Sequence, residues 1–351
     1  MKKSLLALAV LGTFAGAAAA QTSITIYGSF DGGIRDQTNA TNPDGTRGNK
    51  LSIGSTGTYN SNRIGFKGIE DLGGGQNAHF SLETGFNTGT GTLDNSTNRL
   101  FNRTASIGLG GPWGSLDLGR QYSVNYRTIS AYDPFNYKYT GIIPLVNQGG
   151  LIRLDNDIQY TGTFAGVSVR AEYALGEVAG STGNNSTAAI GLNYTGGPFS
   201  VGGAYTTGKR AGLFGATPVP TDTALNQSLK NWTVGGAYAT GPFRVALGYA
   251  DAKQDLAIGG EQRTKDWWLG GSYNVTPIAA LTVGYYQTKG FSSTNALATD
   301  NDGKRKLFIV GGTYALSKRT NFYADIDNAR YDSVANQPNQ TGVSVGINHL
   351  F

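Results

Sequence analysis

The chain has 351 residues, with 28 Lys and Arg against 23 Asp and Glu for a formal charge of +5, two histidines and no cysteine. That excess is too mild and too dispersed for a nucleic-acid partner. The missing cysteines exclude a disulfide framework or thiolate site, and His79 and His349 alone are too few for a zinc site built from protein ligands.

In chain order, residues 1–20 carry a basic start at Lys2 and Lys3, an apolar stretch from Leu5 to Phe14 and small residues through Ala18, Ala19 and Ala20. This reads as a cleaved signal peptide with Gln21 as the mature start. Its removal takes two lysines and no acids, leaving 26 basic against 23 acidic residues, or +3. No later segment offers a helical span of about 20 apolar residues.

From Gln21 onward the pattern is strand, turn, strand. Strands are expected near 22–35, 50–69, 76–87, 99–109, 115–121, 153–161, 167–176, 187–195, 199–208, 229–239, 243–253, 263–275, 281–290, 304–316, 321–332 and 341–351, sixteen in all. Every second connection is a short turn, as at 71–75, 110–114, 162–166, 196–198, 240–242, 276–280 and 317–320, while the others are longer and rich in Asn, Thr, Gly and Asp. In the segment of Phe243, Val245, Leu247 and Tyr249, large apolar residues alternate with Arg244, Ala246, Gly248 and Ala250.

Four hairpins repeat one phrase, with Tyr194, Tyr238, Tyr273 and Tyr314 each placed just before a tight turn. A row of tyrosines at one level is what a membrane interface selects in a β-barrel. Mean hydropathy is only −0.26, which fits strands that alternate lipid-facing and water-facing side chains. Alternation alone also suits a β-sandwich. The lack of large aliphatics for a second core layer, and the exposed edges sixteen strands would otherwise leave, favour closure. The expected fold is all-β, a 16-stranded antiparallel transmembrane β-barrel occupying 21–351. A barrel of that size encloses water.

Ser61 to Gly75, reading SNRIGFKGIEDLGGG, together with Ser23 to Gly28, Leu118 to Tyr122 and a terminal Phe351, resembles the Gram-negative general porins, in particular the β-proteobacterial branch (Neisseria, Burkholderia, Bordetella). The resemblance runs in order from Gln21 to Phe351. It implies a homotrimer of outer-membrane channels in contact with outer-membrane lipid and lipopolysaccharide. Each barrel would pass small hydrophilic solutes and inorganic ions without cofactor or reaction, with a third loop folded inward. The longest connection, about 122–152, is the candidate for that loop. It is aromatic and apolar, with Tyr126, Tyr132, Phe135, Tyr137, Tyr139, Ile142, Ile143 and Leu145, a composition suited to packing against a wall. Phe351 resembles the terminal signal read by outer-membrane assembly machinery.

In that family a ladder of wall arginines faces acids on the inward loop. The matching positions are Arg63, Arg103 and Arg153. Alternation places Arg63 inward, opposite Ile64 and Phe66. It also places Arg153, Asp155, Asp157 and Gln159 inward, opposite Ile158 and Tyr160. Arg103 shares parity with Ala105, Ile107 and Leu109, which points it outward, whereas the resemblance puts it in the pore with Thr104, Ser106 and Gly108 on the outer face. Arg120, in parity with Leu116 and Leu118, faces a neighbouring subunit. Asp133 is the only acid between Tyr122 and Ile152, where Arg127 and Lys138 also lie. Three wall arginines against one loop acid leave an electropositive, anion-preferring narrowing unless Asp155 and Asp157 reach it. Acids such as Glu83 or Glu172 could neutralise individual arginines.

No catalytic, cofactor-binding or metal site is expected. Gly73, Gly74 and Gly75 form a turn rather than a phosphate cradle, since no helix follows, and no Gly-x-Ser-x-Gly turn is present. A substrate-specific channel would instead show a continuous lumenal track of aromatics or paired charges. A non-channel scaffold would rest on the exposed loops.

Overall fold

The computed structural model describes residues 23–42, 44–54, 56–143, 152–210, 226–255, 261–290, 303–334 and 337–351. The expected signal peptide lies outside them. Seventeen strand segments form one antiparallel sheet that closes on itself. They are β1 (Ser23–Thr41), β2 (Arg47–Ile53), β3 (Arg63–Gly73), β4 (Gln76–Gly85), β5 (Thr104–Gly111), β6 (Gly114–Tyr122), β7 (Arg153–Phe164), β8 (Val167–Ala174), β9 (Thr187–Gly196), β10 (Phe199–Lys209), β11 (Ser228–Thr240), β12 (Phe243–Asp255), β13 (Glu261–Thr276), β14 (Ala279–Lys289), β15 (Lys304–Ala315), β16 (Thr320–Asp332) and β17 (Gln340–Leu350). Among the described residues one short α-helix, α1 (Val124–Ile129), lies between β6 and β7.

Seventeen segments make sixteen staves. The second half of β1, Ile34 to Thr41, pairs with β2, and its first half, Ser23 to Ser29, pairs with β3. β2 and β3 are therefore two collinear pieces of one stave, expected as a single strand over 50–69. The break at 54–62 has a local cause. The Asp31 carboxylate accepts the backbone N–H groups of Thr58 (3.1 Å) and Asn60 (3.0 Å), while Asn62 Oδ1 accepts from Asp31 N. Gly57, at φ +94°, supplies the left-handed step that lets the chain turn to reach them. The barrel closes through β1 and β17, in register from Ser29↔Leu350 to Gln37↔Gly342.

The outer face is apolar. Phe243, Val245 and Leu247 are each about half exposed, while the alternate Ala246 and Ala250 are fully buried inside. At roughly 25 cal/mol per Å², such a surface is tolerable only where lipid covers it. Tyr194, Tyr238, Tyr273 and Tyr314 all face outward beside the short turns. Two of them pack on their neighbours, Phe199 with Tyr238 at 4.8 Å and Phe243 with Tyr273 at 4.7 Å between ring centroids. The inner face is polar, with Asp31, Asn231, Thr233, Asp266, Asp325 and Asp327 buried there.

Leu247 lies on the outer face between the Phe243 and Tyr273 level at the short turns and a second aromatic level at Trp232, Tyr249 and Trp267. Leu247→Lys is expected to cost about 2 to 4 kcal/mol of unfolding free energy in bilayers, against less than about 1 for Thr240→Lys at the rim. Urea titration of the folded protein in vesicles measures both, and equal costs would contradict the assigned lipid band.

Candidate functional site

The connection after β6 does not project away from the sheet. Ser123 caps α1, its hydroxyl accepting Tyr126 N at 3.2 Å. Residues 123–143 then pack on the inner faces of β8 to β16. Trp268 Nε1 donates to Tyr132 O (2.9 Å), Arg244 donates to Ala131 O (2.8 Å) and Asp133 O (3.0 Å), and Arg305 donates to Ile142 O (2.8 Å). Tyr139 N donates to Tyr59 O at 2.8 Å. On β8, Glu172 accepts Val124 N (2.8 Å) and Gln159 Nε2 (2.9 Å), tying the first turn of α1 to the wall.

The wall leaves room for this segment by using glycine. A Cβ at Gly235 would lie 2.7 Å from the Tyr132 ring, at Gly270 2.6 Å from Pro134, and at Gly311 3.1 Å from Phe135. The result is a core inside the barrel. Tyr139, Ile142 and Ile143 of the segment are buried against Trp268, Tyr286, Leu307 and Ile309 of the wall.

Asp133 corrects an expectation. It is fully buried and does not present its carboxylate to the lumen. Its oxygens accept from Phe135 N (3.0 Å), Tyr137 N (2.7 Å) and the Tyr286 hydroxyl (2.6 Å). Burial pushes its pKa up to about 6, partly offset by those donors. Asp133 is thus the segment's anchor rather than a counter-charge to the wall. Lys138 is half-buried, its ammonium 5.5 Å from the centre of the Tyr59 ring. Burial and the neighbouring Arg63 pull its pKa down to about 8, against an opposing pull from Asp31. Arg127 is exposed, its Nε donating to Tyr122 O at 3.3 Å.

The three arginines come together. Arg63 donates to Asn60 Oδ1 (3.2 Å) and Ser61 O (3.0 Å) and lies 3.5 Å from Glu83. Arg103 Nε donates to Glu83 at 2.6 Å, and its Nη2 to the Tyr122 hydroxyl at 2.7 Å. Arg153 donates to the same hydroxyl at 2.6 Å, with its guanidinium 4.2 Å from the centre of the Tyr122 ring. Tyr126 stacks on that ring at 4.2 Å. One carboxylate and one phenol therefore serve three guanidinium groups. Glu83 is on the inner face with His79 and Ser81, by the alternation of β4. Tyr122 ends the Leu118 to Tyr122 stretch, but nothing in that stretch marks its bridging role in advance.

Two parity arguments fail locally. Arg103 precedes β5, which begins at Thr104, so strand alternation does not orient it. Ile107 and Leu109 are exposed on the outer face, whereas Gly108 faces His79 and Asp117 within. The outer face is thus Ala105, Ile107 and Leu109, not Thr104, Ser106 and Gly108, and Arg103 still reaches Glu83. In β7, Leu154 pairs with Gln121 and Asp157 with Gly119, so Asp155 and Asn156 together stand opposite Arg120, a bulge of one extra residue with Asn156 at φ +54°. That slip turns Asp155 away from the lumen, and Arg153, which shares its parity opposite the buried Leu154, is likewise not placed inward by alternation and reaches the Tyr122 hydroxyl from the end of the strand. Asp155 instead pairs with Arg99 at 2.9 Å and in close contact with Arg120. Arg120 lies on the side of Leu116 and Leu118, its Nε donating to Asn102 O at 2.6 Å. Asp157, past the bulge, is buried on the inner face and accepts from Gln159 at 3.3 Å.

Phe351 closes the barrel. Its N–H donates to Gly28 O (3.3 Å) and its carbonyl accepts from Gly28 N (3.1 Å), while its ring covers Gly28, where a Cβ would lie 2.3 Å from it. His79 points inward to Asp117 at 2.8 Å, whereas His349 bonds Thr320 at 2.8 Å, so the histidines share no site. Among the described residues no cluster of His, Cys, Asp and Glu could hold a metal ion.

A Gram-negative porin family model matches residues 7–334. An outer membrane porin protein of Bordetella pertussis is 31% identical, and the outer membrane porin protein 32 of Delftia acidovorans is 30% identical, each over the whole of both chains. The major outer membrane protein P.IB of Neisseria meningitidis serogroup B is 29% identical over the same extent. Among solved structures, an anion-selective porin from Comamonas acidovorans matches 94% of this chain and 100% of its own, with a TM-score of 0.76 at 24% identity. With these relatives and a closed barrel of sixteen staves, the chain belongs to the Gram-negative porin family, the channel-forming proteins of the outer membrane.

Proposed function

We propose that this porin forms an anion-preferring pore narrowed by residues 123–143, with Arg63, Arg103 and Arg153 as its basic wall. The observation that carries the reading is the single acid, Glu83, shared by Arg63 and Arg103. Arg153 shares only the neutral Tyr122 hydroxyl with Arg103. The opposing segment contributes Lys138 and Arg127 and keeps its one acid, Asp133, buried. Between low-dielectric walls such an excess of fixed positive charge is focused on passing ions. The structurally similar Comamonas porin carries the same preference in its name.

A substrate-specific channel is less well supported. The aromatic contacts continue from Tyr126 to Tyr137, but Tyr137 and Tyr139 are buried between the segment and the wall and give no open track. Size-graded sugars in liposome swelling separate the two readings: a size cutoff without saturation marks a general pore. The remaining parts of the proposal are cleavage after Ala20, homotrimer assembly with Arg120 at the subunit contact, an outer leaflet of lipopolysaccharide, and Phe351 as the assembly signal.

Three measurements test the pore. Reversal potentials in a KCl gradient should favour chloride, and Arg63→Glu with Arg153→Glu should abolish or invert that preference; an unchanged potential would remove both residues from the pore. Lys138 holds its charge below about pH 8 and loses it above, where an ordinary lysine stays charged to about 10.5. Chloride preference should therefore fall between pH 7 and 9 in the native protein but not in Lys138→Gln. Gly235→Val drives a side chain into the Tyr132 ring, so the segment should undock and conductance should rise. Proteolytic nicking within 130–143 without any conductance change would mean that the segment does not narrow the pore.

A further inference from the structure

Docking of residues 123–143 leaves a recess on their short-turn side. Pro134 and Phe135 cover Gly270 and Gly284, and beyond that contact the inward positions of β13, β14 and β15 form two level rows. Ser272 lies opposite Thr282 and Thr282 opposite Gly311, while Asn274 lies opposite Ala280 and Ala280 opposite Thr313. Each row thus holds one residue too small to close it. The result is a recess of about 160 Å³, bounded by Pro134, Phe135 and Asn136 of the segment and by Tyr59 and Tyr139. It faces the lumen, where Asn136 and Asn274 are exposed.

The recess differs in chemistry from the inner face around it. Elsewhere that face is charged, with Asp266, Asp325 and Asp327 buried on it, yet no carboxylate, ammonium or guanidinium group lines the recess. Arg244, opposite Ser272, is turned onto the carbonyls of Ala131 (2.8 Å) and Asp133 (3.0 Å), and Lys138 stands against the Tyr59 ring. Asn136, Ser272, Asn274, Thr282 and Thr313 instead present amides and hydroxyls that make no side-chain hydrogen bond among the described residues. The buried Tyr139 hydroxyl beside Gly311 is likewise unpartnered among them. Side chains of this kind both donate and accept. An anion brings only acceptors and a cation only donors, so either would leave half of these groups unused and find no counter-charge. A solute carrying several hydroxyls matches both halves.

We propose that this recess is a binding site for a neutral, polyhydroxylated solute the size of one monosaccharide. The inference rests on the reading of the barrel as an open solute path, and adds a resting place along it. Its volume lies below the roughly 300 Å³ at which sites for drug-sized ligands begin, which suits a single sugar ring, and Pro134, Phe135 and Ala280 offer an apolar patch to the C–H face of that ring. The recess belongs to β13, β14 and β15, whereas Arg63, Arg103 and Arg153 stand beside β3, β5 and β7 on other staves of the closed sheet. A solute held there leaves the basic wall free, so passage stays governed by size.

Saturation-transfer NMR of glucose with the full mature protein in detergent tests the site. Glucose should show saturable transfer with half-saturation in the millimolar range. Asn274→Ala combined with Thr282→Val should weaken binding about tenfold, and Ala280→Leu, which fills the recess from the wall, should remove it. Both variants keep the arginines and the segment, so their reversal potentials in a KCl gradient should stay at the native value, and a loss of glucose binding is then not a loss of the barrel. Absence of saturable transfer to the native protein, or undiminished binding in both variants, would overturn the site while leaving the porin reading intact. Glucuronate, the same ring with a carboxylate, should bind independently of these residues. If its binding is the one that the variants weaken, the recess is an anion site and the neutral-solute assignment falls. A native protein that binds glucose but forms no channels in bilayers would instead overturn the pore reading on which the site rests.

Discussion

Everything in this molecule depends on the pairing of backbone groups that would otherwise meet lipid. Each unpaired N–H or C=O in hydrocarbon costs several kcal/mol, so a membrane sheet must have no edge. β1 removes it by pairing on one side with β17 and on the other with β3 and β2 in succession. The last residue belongs to that closure, since Phe351 exchanges backbone hydrogen bonds with Gly28 and its ring fills the space over that glycine. Once the circle is closed, alternation follows without further instruction, with aliphatic and aromatic side chains outward and Asp, Asn, Thr and Arg inward.

Closure leaves an interior too wide to be filled by wall side chains, and the segment after β6 occupies part of it. Its docking is a core inside a pore. Gly235, Gly270 and Gly311 remove the side chains that would meet Tyr132, Pro134 and Phe135, while Trp268, Arg244 and Arg305 satisfy carbonyls of the segment that has no strand partner. Asp133 completes this by accepting two N–H groups of its own turn and the Tyr286 hydroxyl. The pull of burial on that carboxyl works against the docked state once it ionises. Its folded pKa of about 6 lies above its ordinary value of 3.8, so its contribution is greatest below about pH 4 and is lost as pH rises through 6. Docking at neutral pH therefore relies on the apolar packing of Tyr132, Tyr139 and Ile143 more than on Asp133.

Most of the barrel is legible in the sequence because it rests on period-two alternation and turn chemistry, which are local. The Tyr194, Tyr238, Tyr273 and Tyr314 phrases mark hairpin ends, and the short turns fall where Gly73, Gly74 and Gly75 adopt positive φ. Legibility ends where local order is broken by a distant partner. The stave expected over 50–69 is interrupted because Asp31, on the preceding strand, captures Thr58 and Asn60. The bulge at Asn156 inverts Asp155, and no residue type announces it. Arg103 reaches Glu83 from outside its strand, so parity could not orient it. Asp133 looks like a pore acid because carboxylates are usually solvated; its burial follows from Tyr286, some 150 residues away in sequence.

The arginine cluster shows why charge counting alone misjudges such a site. Counted along the sequence, Asp133, Asp155 and Asp157 balance Arg63, Arg103 and Arg153. In space each acid is removed by a different device: Asp133 by burial in its own turn, Asp155 by the bulge that hands it to Arg99 and Arg120, and Asp157 by burial beside Gln159. Glu83 remains in direct contact, with Asp94 acting on Arg103 from further off, and the Tyr122 hydroxyl accepts from both Arg103 and Arg153 without adding negative charge. A neutral acceptor orients two guanidinium groups and leaves their charge uncancelled, which an aspartate at the same position would not do. On the proposed reading, the positive excess at this cluster follows from which acceptors are neutral, and from the backbone slip in β7 as much as from the arginines themselves.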